Sequence, residues 1–173
     1  PTLRLRNRSN DDPVNMGKNP PAGVPLYYYL ADEQAADADI SLEIADGDGN
    51  VIRTFTPKPA NETEPKKPIL TDDDRKLETK KGLNKFVWDL RYASVEKFEG
   101  LVLWNRSLAG ARAIPGSYMA TLNIAENSQS VNFEVLADPR INSTQDDYQT
   151  QFDFLTSINT KLTEMHRAIN RIR

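Results

Sequence analysis

The period of the apolar pattern changes once along this chain, near Asp138-Pro139-Arg140, and that change limits the fold more than any other feature. Downstream, Tyr148, Phe152, Leu155, Ile158, Leu162, Met165, Ile169 and Ile172 recur at intervals of three and four, with no proline or glycine between them. That spacing puts them on one side of an α-helix. Ser143, followed three residues later by Asp146, has the character of a helix start, because a hydroxyl can cap the first free N–H groups and an acid suits the dipole. The predicted helix has about 28 residues and a length of about 42 Å. Upstream the period is two. Ile40-Ser41-Leu42-Glu43-Ile44 and Val131-Asn132-Phe133-Glu134-Val135 alternate apolar with polar residues, as half-buried strands do.

Between those two runs lie further strand candidates. Pro25 to Leu30 is aromatic and short, and Val51 to Thr56 follows the turn-rich Asp46-Gly47-Asp48-Gly49-Asn50, so it pairs with the Ile40 run as a hairpin. Leu83 to Tyr92 carries Phe86, Trp88 and Leu90 on one phase. Tyr118 to Ile124 follows the turn Ile114-Pro115-Gly116-Ser117, and Glu126 to Gln129 turns the chain into the Val131 run. Thr2 to Arg6 alternates as an edge strand would. Residues 57–81 and 93–113 read as long loops, the first solvated. Several short strands separated by turn signals predict an all-β sandwich with Phe86, Trp88, Leu90, Leu42, Ile44, Leu122 and Val135 inside. The chain divides into a linker or edge segment at 1–23, a sandwich at 24–140 and the helical region at 141–173.

Composition narrows the function. With 22 basic and 25 acidic residues the net charge is −3, which leaves no basic field for nucleic acid. There are no cysteines, so disulfides, thiolate metal sites and cysteine nucleophiles are excluded. No apolar run reaches the roughly 18–20 residues that cross a bilayer as a helix, so no membrane partner is expected. The start at Pro1, with neither initiator Met nor signal peptide, reads as a processed or excised piece.

Each residue with chemical character has a plainer reading. Asp46, Asp48 and Asn50 have the spacing that opens a calcium loop, but Val51 and Pro57 stand where that loop needs Gly and Glu, so a hairpin turn is expected. Asp72-Asp73-Asp74 reads as a hydrated loop. His166, the one histidine, lacks a ligand set or an orienting acid and is expected on the helix surface. Trp104, in Leu101-Val102-Leu103-Trp104, is a candidate contact residue that plugs the sandwich end or docks on a neighbour. Together with Tyr27, Tyr28, Tyr29 and Tyr92 it offers an alternative, an aromatic platform for sugar. Asn7, Asn61 and Asn105 begin glycosylation-type triplets, a three-residue pattern that recurs by coincidence. The 25 acids allow many pairs, none of which is singled out, and no catalytic residue, metal or cofactor is expected.

The stretch from Tyr28-Tyr29-Leu30 through Ile40–Phe55, with Phe86-Val87-Trp88-Asp89 and Ile114-Pro115-Gly116-Ser117-Tyr118, resembles the Ig-like domain of the flagellar hook-capping protein. The resemblance covers about residues 24–136 and implies an Ig-like antiparallel β-sandwich. A second covers nearly the whole chain. Asn19-Pro20-Pro21-Ala22-Gly23, Gly82–Tyr92, Asp138-Pro139-Arg140 and the helix to Arg173 are similar to the C-terminal region of large bacterial exported proteins with a sortilin-like, Asp-box (BNR-type) β-propeller. Such proteins are often labelled glycosyl hydrolases or sialidases. No Asp-box repeat occurs here, so the label belongs to the propeller. The resemblance implies a secreted or periplasmic, non-catalytic accessory domain whose partner is the parent propeller. The alternative is a carbohydrate-binding module that brings a hydrolase to glycans.

The helix adds a contact expectation. A strand spans only about 17–20 Å, so the helix is expected to outrun the sandwich. Tyr148, Phe152 and Leu155 are covered, while Met165, Ile169 and Ile172 need another partner. A following helix in the parent, or a second copy as a two-fold homodimer, would serve.

Overall fold

The computed structural model describes residues 21–33, 38–57, 76–98, 100–102 and 108–172. The chain is mainly strand, arranged as two antiparallel sheets and one C-terminal helix. The elements are β1 (Val24–Leu30), β2 (Ile40–Asp46), β3 (Val51–Phe55), β4 (Gly82–Trp88), β5 (Gly116–Ile124), β6 (Asn127–Val135) and α1 (Gln145–Ile172). One sheet has the order β3-β2-β5-β6; the other is the pair β1-β4. The expected strand at Thr2–Arg6, Asp72-Asp73-Asp74 and Trp104 lie outside the described residues.

The alternating runs take the phase that their sequence requires. Leu42 pairs with Leu122 and Ile44 with Ala120 across β2 and β5. Leu42, Ile44, Phe55, Tyr118 and Ala120 of the larger sheet share one core with Tyr28, Leu30, Phe86 and Trp88 of the smaller. Trp88, fully buried, sets its ring 5.5 Å from that of Tyr118 and 6.0 Å from Phe133. Its indole N–H donates to Arg91 O at 3.1 Å, which satisfies the one polar atom that it buries. Asp89, next in sequence, accepts the Arg91 N–H. The Tyr28 hydroxyl donates to Glu78 O at 2.6 Å, and burial pushes its pKa up to about 12.

Several expectations need correction. The strand read to Tyr92 ends at Trp88, because Leu90 adopts φ 62°, a left-handed conformation that breaks the alternation. Leu90, Leu122 and Val135 are only half-buried, packed against the core from its margin. β6 starts earlier than expected, after the two-residue turn Ala125-Glu126. Residues 76–81 are not purely solvated loop, because Leu77 is buried and bridges Pro57.

The loop expected over 93–113 is partly ordered by pairing. Ala113 N–H donates to Leu90 O, Tyr92 N–H to Ala111 O and Val95 N–H to Leu108 O. An isolated bridge joins Arg91 to Arg112. Segments 90–95 and 108–113 thus form an irregular antiparallel arm, and this arm carries the helix.

The cap of α1 is Thr144, not Ser143. Its Oγ1 accepts the Asp147 N–H at 3.2 Å, and Asp147 Oδ2 accepts the Thr144 N–H at 2.8 Å, a reciprocal capping box. The backbone hydrogen bond from Thr144, with one from its hydroxyl, holds the Asp147 carboxyl below its ordinary value of 3.8. A folded-state pKa below the unfolded one stabilises above the unfolded value and ceases to do so as pH falls through the folded value. Acidification below the usual carboxylate range should therefore loosen the first turn before the sheets. Amide exchange at Thr144 and Asp147, followed from pH 5 downward, should show protection lost with a midpoint below 3.8.

Candidate interaction surface

Helix α1 carries apolar residues over too wide an arc for one contact. Its docked side presents Tyr148, Phe152, His166 and Asn170, spaced in multiples of a helical turn. Phe152 sets its ring edge-on to Tyr92 at 4.7 Å. His166 is buried, packs edge-on against Phe98 at 5.1 Å, and bonds Glu96 O through Nδ1 at 2.5 Å. Asn170 reaches Lys97 O at 3.5 Å, and Gln145, at the other end, donates to Pro115 O at 3.0 Å. Arg167 forks onto Glu96 and holds its carboxyl below the ordinary range. Both partners are more than half exposed, so the pair orients more than it stabilises.

Three expectations change here. Leu155, expected to be covered, is exposed because it lies at the edge of the docked side. His166 is not a surface histidine, because it anchors the second half of the helix. The second half of the helix, expected to need a partner outside the sandwich, is accompanied by the 96–98 segment as far as Asn170.

What stays uncovered is decided by rotation, not reach. Leu155, Ile158, Leu162, Met165, Ile169 and Ile172 alternate at three and four, the two apolar positions of a heptad. They form a second stripe beside the docked one. Met165 is 59 % exposed and Ile172 86 %, while Leu162 and Ile169 are half-buried along the boundary. Phe154, 65 % exposed, widens the stripe. Sequence reasoning named Met165, Ile169 and Ile172 and missed Phe154, although its place four residues before Ile158 was a usable signal. Trp104, also named as a contact, has no described position to compare.

A second apolar patch lies on the outer face of β1-β4. Tyr27 and Tyr29 point outward beside Leu83 and Lys85, and the Lys85 ammonium sits 5.7 Å from the centre of the Tyr27 ring. The other tyrosines considered for a platform are not there. Tyr28 is in the core, and Tyr92 packs on the helix.

The Asp46 loop forms the expected hairpin turn. Asp46 Oδ1 accepts the N–H groups of Asp48 at 3.0 Å and Asn50 at 2.9 Å, and its two oxygens also take the Asn50 amide. Burial is slight and opposes the effect, and these bonds hold its carboxyl below 3.8. A carboxylate turned inward on its own backbone closes a turn, where a calcium ligand would leave its oxygens open. Among the described residues, no group of three His, Asp or Glu side chains is placed to hold a metal ion, and no helix is long and apolar enough to cross a membrane.

No family model, curated protein or solved structure matches the chain.

Proposed function

We propose that this chain is a non-catalytic accessory module of a larger exported protein built on an Asp-box β-propeller, and that it works by contact. The observation that carries this reading is the apolar stripe beside the docked side of the helix. The docked side is held by the chain itself; the stripe, with Phe154, Met165 and Ile172, faces solvent. Leaving large apolar side chains in water forgoes about 1.5–3 kcal/mol each relative to burial, and a contiguous stripe of them marks an interaction surface.

The two sheets are read as an Ig-like sandwich. A buried tryptophan at its centre supports this. So does Tyr118, near the start of β5, whose hydroxyl donates to Ile114 O at 2.8 Å, four residues upstream, in the manner of a tyrosine corner. An Ig-like body implies an architecture and no chemistry, which is why the contact stripe carries the function.

A second reading, a glycan-binding module, draws on Tyr27 and Tyr29. Two outward rings on one strand face can stack on sugars. It is the weaker, because Lys85 already sits over one of the rings.

One set of glycosides and sialosides tests both readings. The purified chain should turn none of them over and should bind none at millimolar concentration. Turnover that a point substitution in this chain abolishes would overturn the non-catalytic reading. Saturable quenching of tyrosine fluorescence that Tyr29→Ala removes would move the choice to glycan binding.

A further inference from the structure

Two arginines face each other on the arm with no acid between them. Arg91 and Arg112 form its isolated antiparallel bridge, and the bonds on either side run from Tyr92 N–H to Ala111 O and from Ala113 N–H to Leu90 O. Those bonds bracket the two residues without using their own backbone groups. The pair is therefore of the non-hydrogen-bonded kind, which brings side chains closest. Like charges directly opposite destabilise a strand pair. A carboxylate between them would relieve the repulsion, yet among the described residues neither guanidinium takes part in an ion pair.

Both arginines line a groove of about 320 Å³ between the arm and the first half of α1, with Tyr148, Gln151, Phe152 and Leu155 on its other side. Among the described residues no Asp or Glu lines it. We propose that this groove takes an extended acidic segment of a partner protein, with a carboxylate between Arg91 and Arg112 and an apolar side chain two residues away against Phe152 and Leu155. This rests on the accessory-module reading above and gives the partner its chemistry.

Each part of the groove selects a part of that segment. A guanidinium presents a planar fork that matches a carboxylate. Arg91 is already held by its bond from Nη1 to Gly110 O at 2.9 Å, so it loses little freedom when a ligand binds. Leu155, 39 % exposed, gains only from an apolar neighbour, which a free anion lacks. Residues two apart in an extended segment share a face, so one segment reaches both parts. The volume is at the small end of ligand clefts, about 300–1,000 Å³, and admits individual side chains, not a folded element.

The test uses the whole chain and a blocked, fluorescein-labelled peptide Gly-Ser-Glu-Ser-Leu-Ser-Gly, read by anisotropy. Binding should saturate and weaken with added salt. Replacing the peptide's Glu by Gln, or Arg112→Gln in the chain, should each weaken it at least about tenfold, the scale of one charge-assisted hydrogen bond. Arg112→Lys, which keeps the charge and loses the fork, should fall in between. Arg112 is exposed, so these variants should fold. Arg112→Gln should moreover raise the urea midpoint of the unbound chain, because it removes a like charge; a lowered midpoint would mean that Arg112 supports the arm itself, and would overturn the proposal. So would absence of binding at about 1 mM peptide, or equal binding of the glutamine peptide. Displacement by inorganic phosphate or by a sialoside at the peptide's own concentration would make the site one for free anions and sink the protein partner. Maleimide labelling of Ile172→Cys, in a chain with no other cysteine, tests the accessory-module reading separately. Rapid labelling leaves that reading on the open helix stripe even if no peptide binds; slow labelling removes it whatever the peptide does.

Discussion

Trp88→Ala should cost about 3–5 kcal/mol of folding stability, the range for removing a large aromatic side chain from a core. Domains of this size are stable by only about 5–15 kcal/mol, so the variant should lose a large share of its stability or fail to fold. The reason lies in the ring's contacts. Trp88 belongs to the small sheet, yet it packs on Tyr118 of β5 and Phe133 of β6 in the large one, and its N–H ties down the start of the arm at Arg91. Truncation opens a cavity where the sheets meet and frees the Arg91 carbonyl. Urea unfolding followed by circular dichroism should show the fall as a lower midpoint. Trp88→Phe, which keeps much of the apolar volume and loses the hydrogen bond, should fall in between. A Trp88→Ala midpoint within error of the parent would mean that the sheets are not joined through this ring.

Gly110→Ala should cost about 1–3 kcal/mol, the range for overpacking, and its effect should be felt first at the helix. A Cβ at residue 110 would stand 2.2 Å from Tyr92 O and 2.4 Å from Ala93 O. Both are backbone oxygens, which cannot swing aside as a flexible side chain would, so the arm must open. Opening removes the bond from Arg91 Nη1 to Gly110 O, at 2.9 Å, and moves Tyr92 away from Phe152. Hydrogen exchange should speed up along α1 while β2 and β5 stay protected, because among the described residues the first half of the helix packs on the arm through Tyr92 and Phe152. Equal loss of protection in the sheets would show that arm and core unfold as one unit.

Much of the fold follows from local rules, and the errors have identifiable causes. The hairpin at Asp46–Asn50 was readable because its turn closes within five residues, on its own carboxylate. The phase of β4 was readable through Phe86 and Trp88, and the error at its end came from Leu90, whose left-handed backbone leaves no mark in an alternating pattern. The arm reads as loop in the sequence because its bonds, such as Leu90 with Ala113, join distant residues without a periodic run on either side. Length alone does not expose Met165 and Ile172; the rotation of the helix does, and the 96–98 segment lies alongside its second half.

The apolar period of three and four determined by itself that residues 145–172 form a helix, and the period of two determined which strand residues turn inward, because both depend only on backbone geometry within a few residues. Only the tertiary structure decided which side of the helix is spent. The choice falls to Glu96 and Phe98, which meet His166 from some 70 residues away and fix the rotation that leaves Met165 and Ile172 in water.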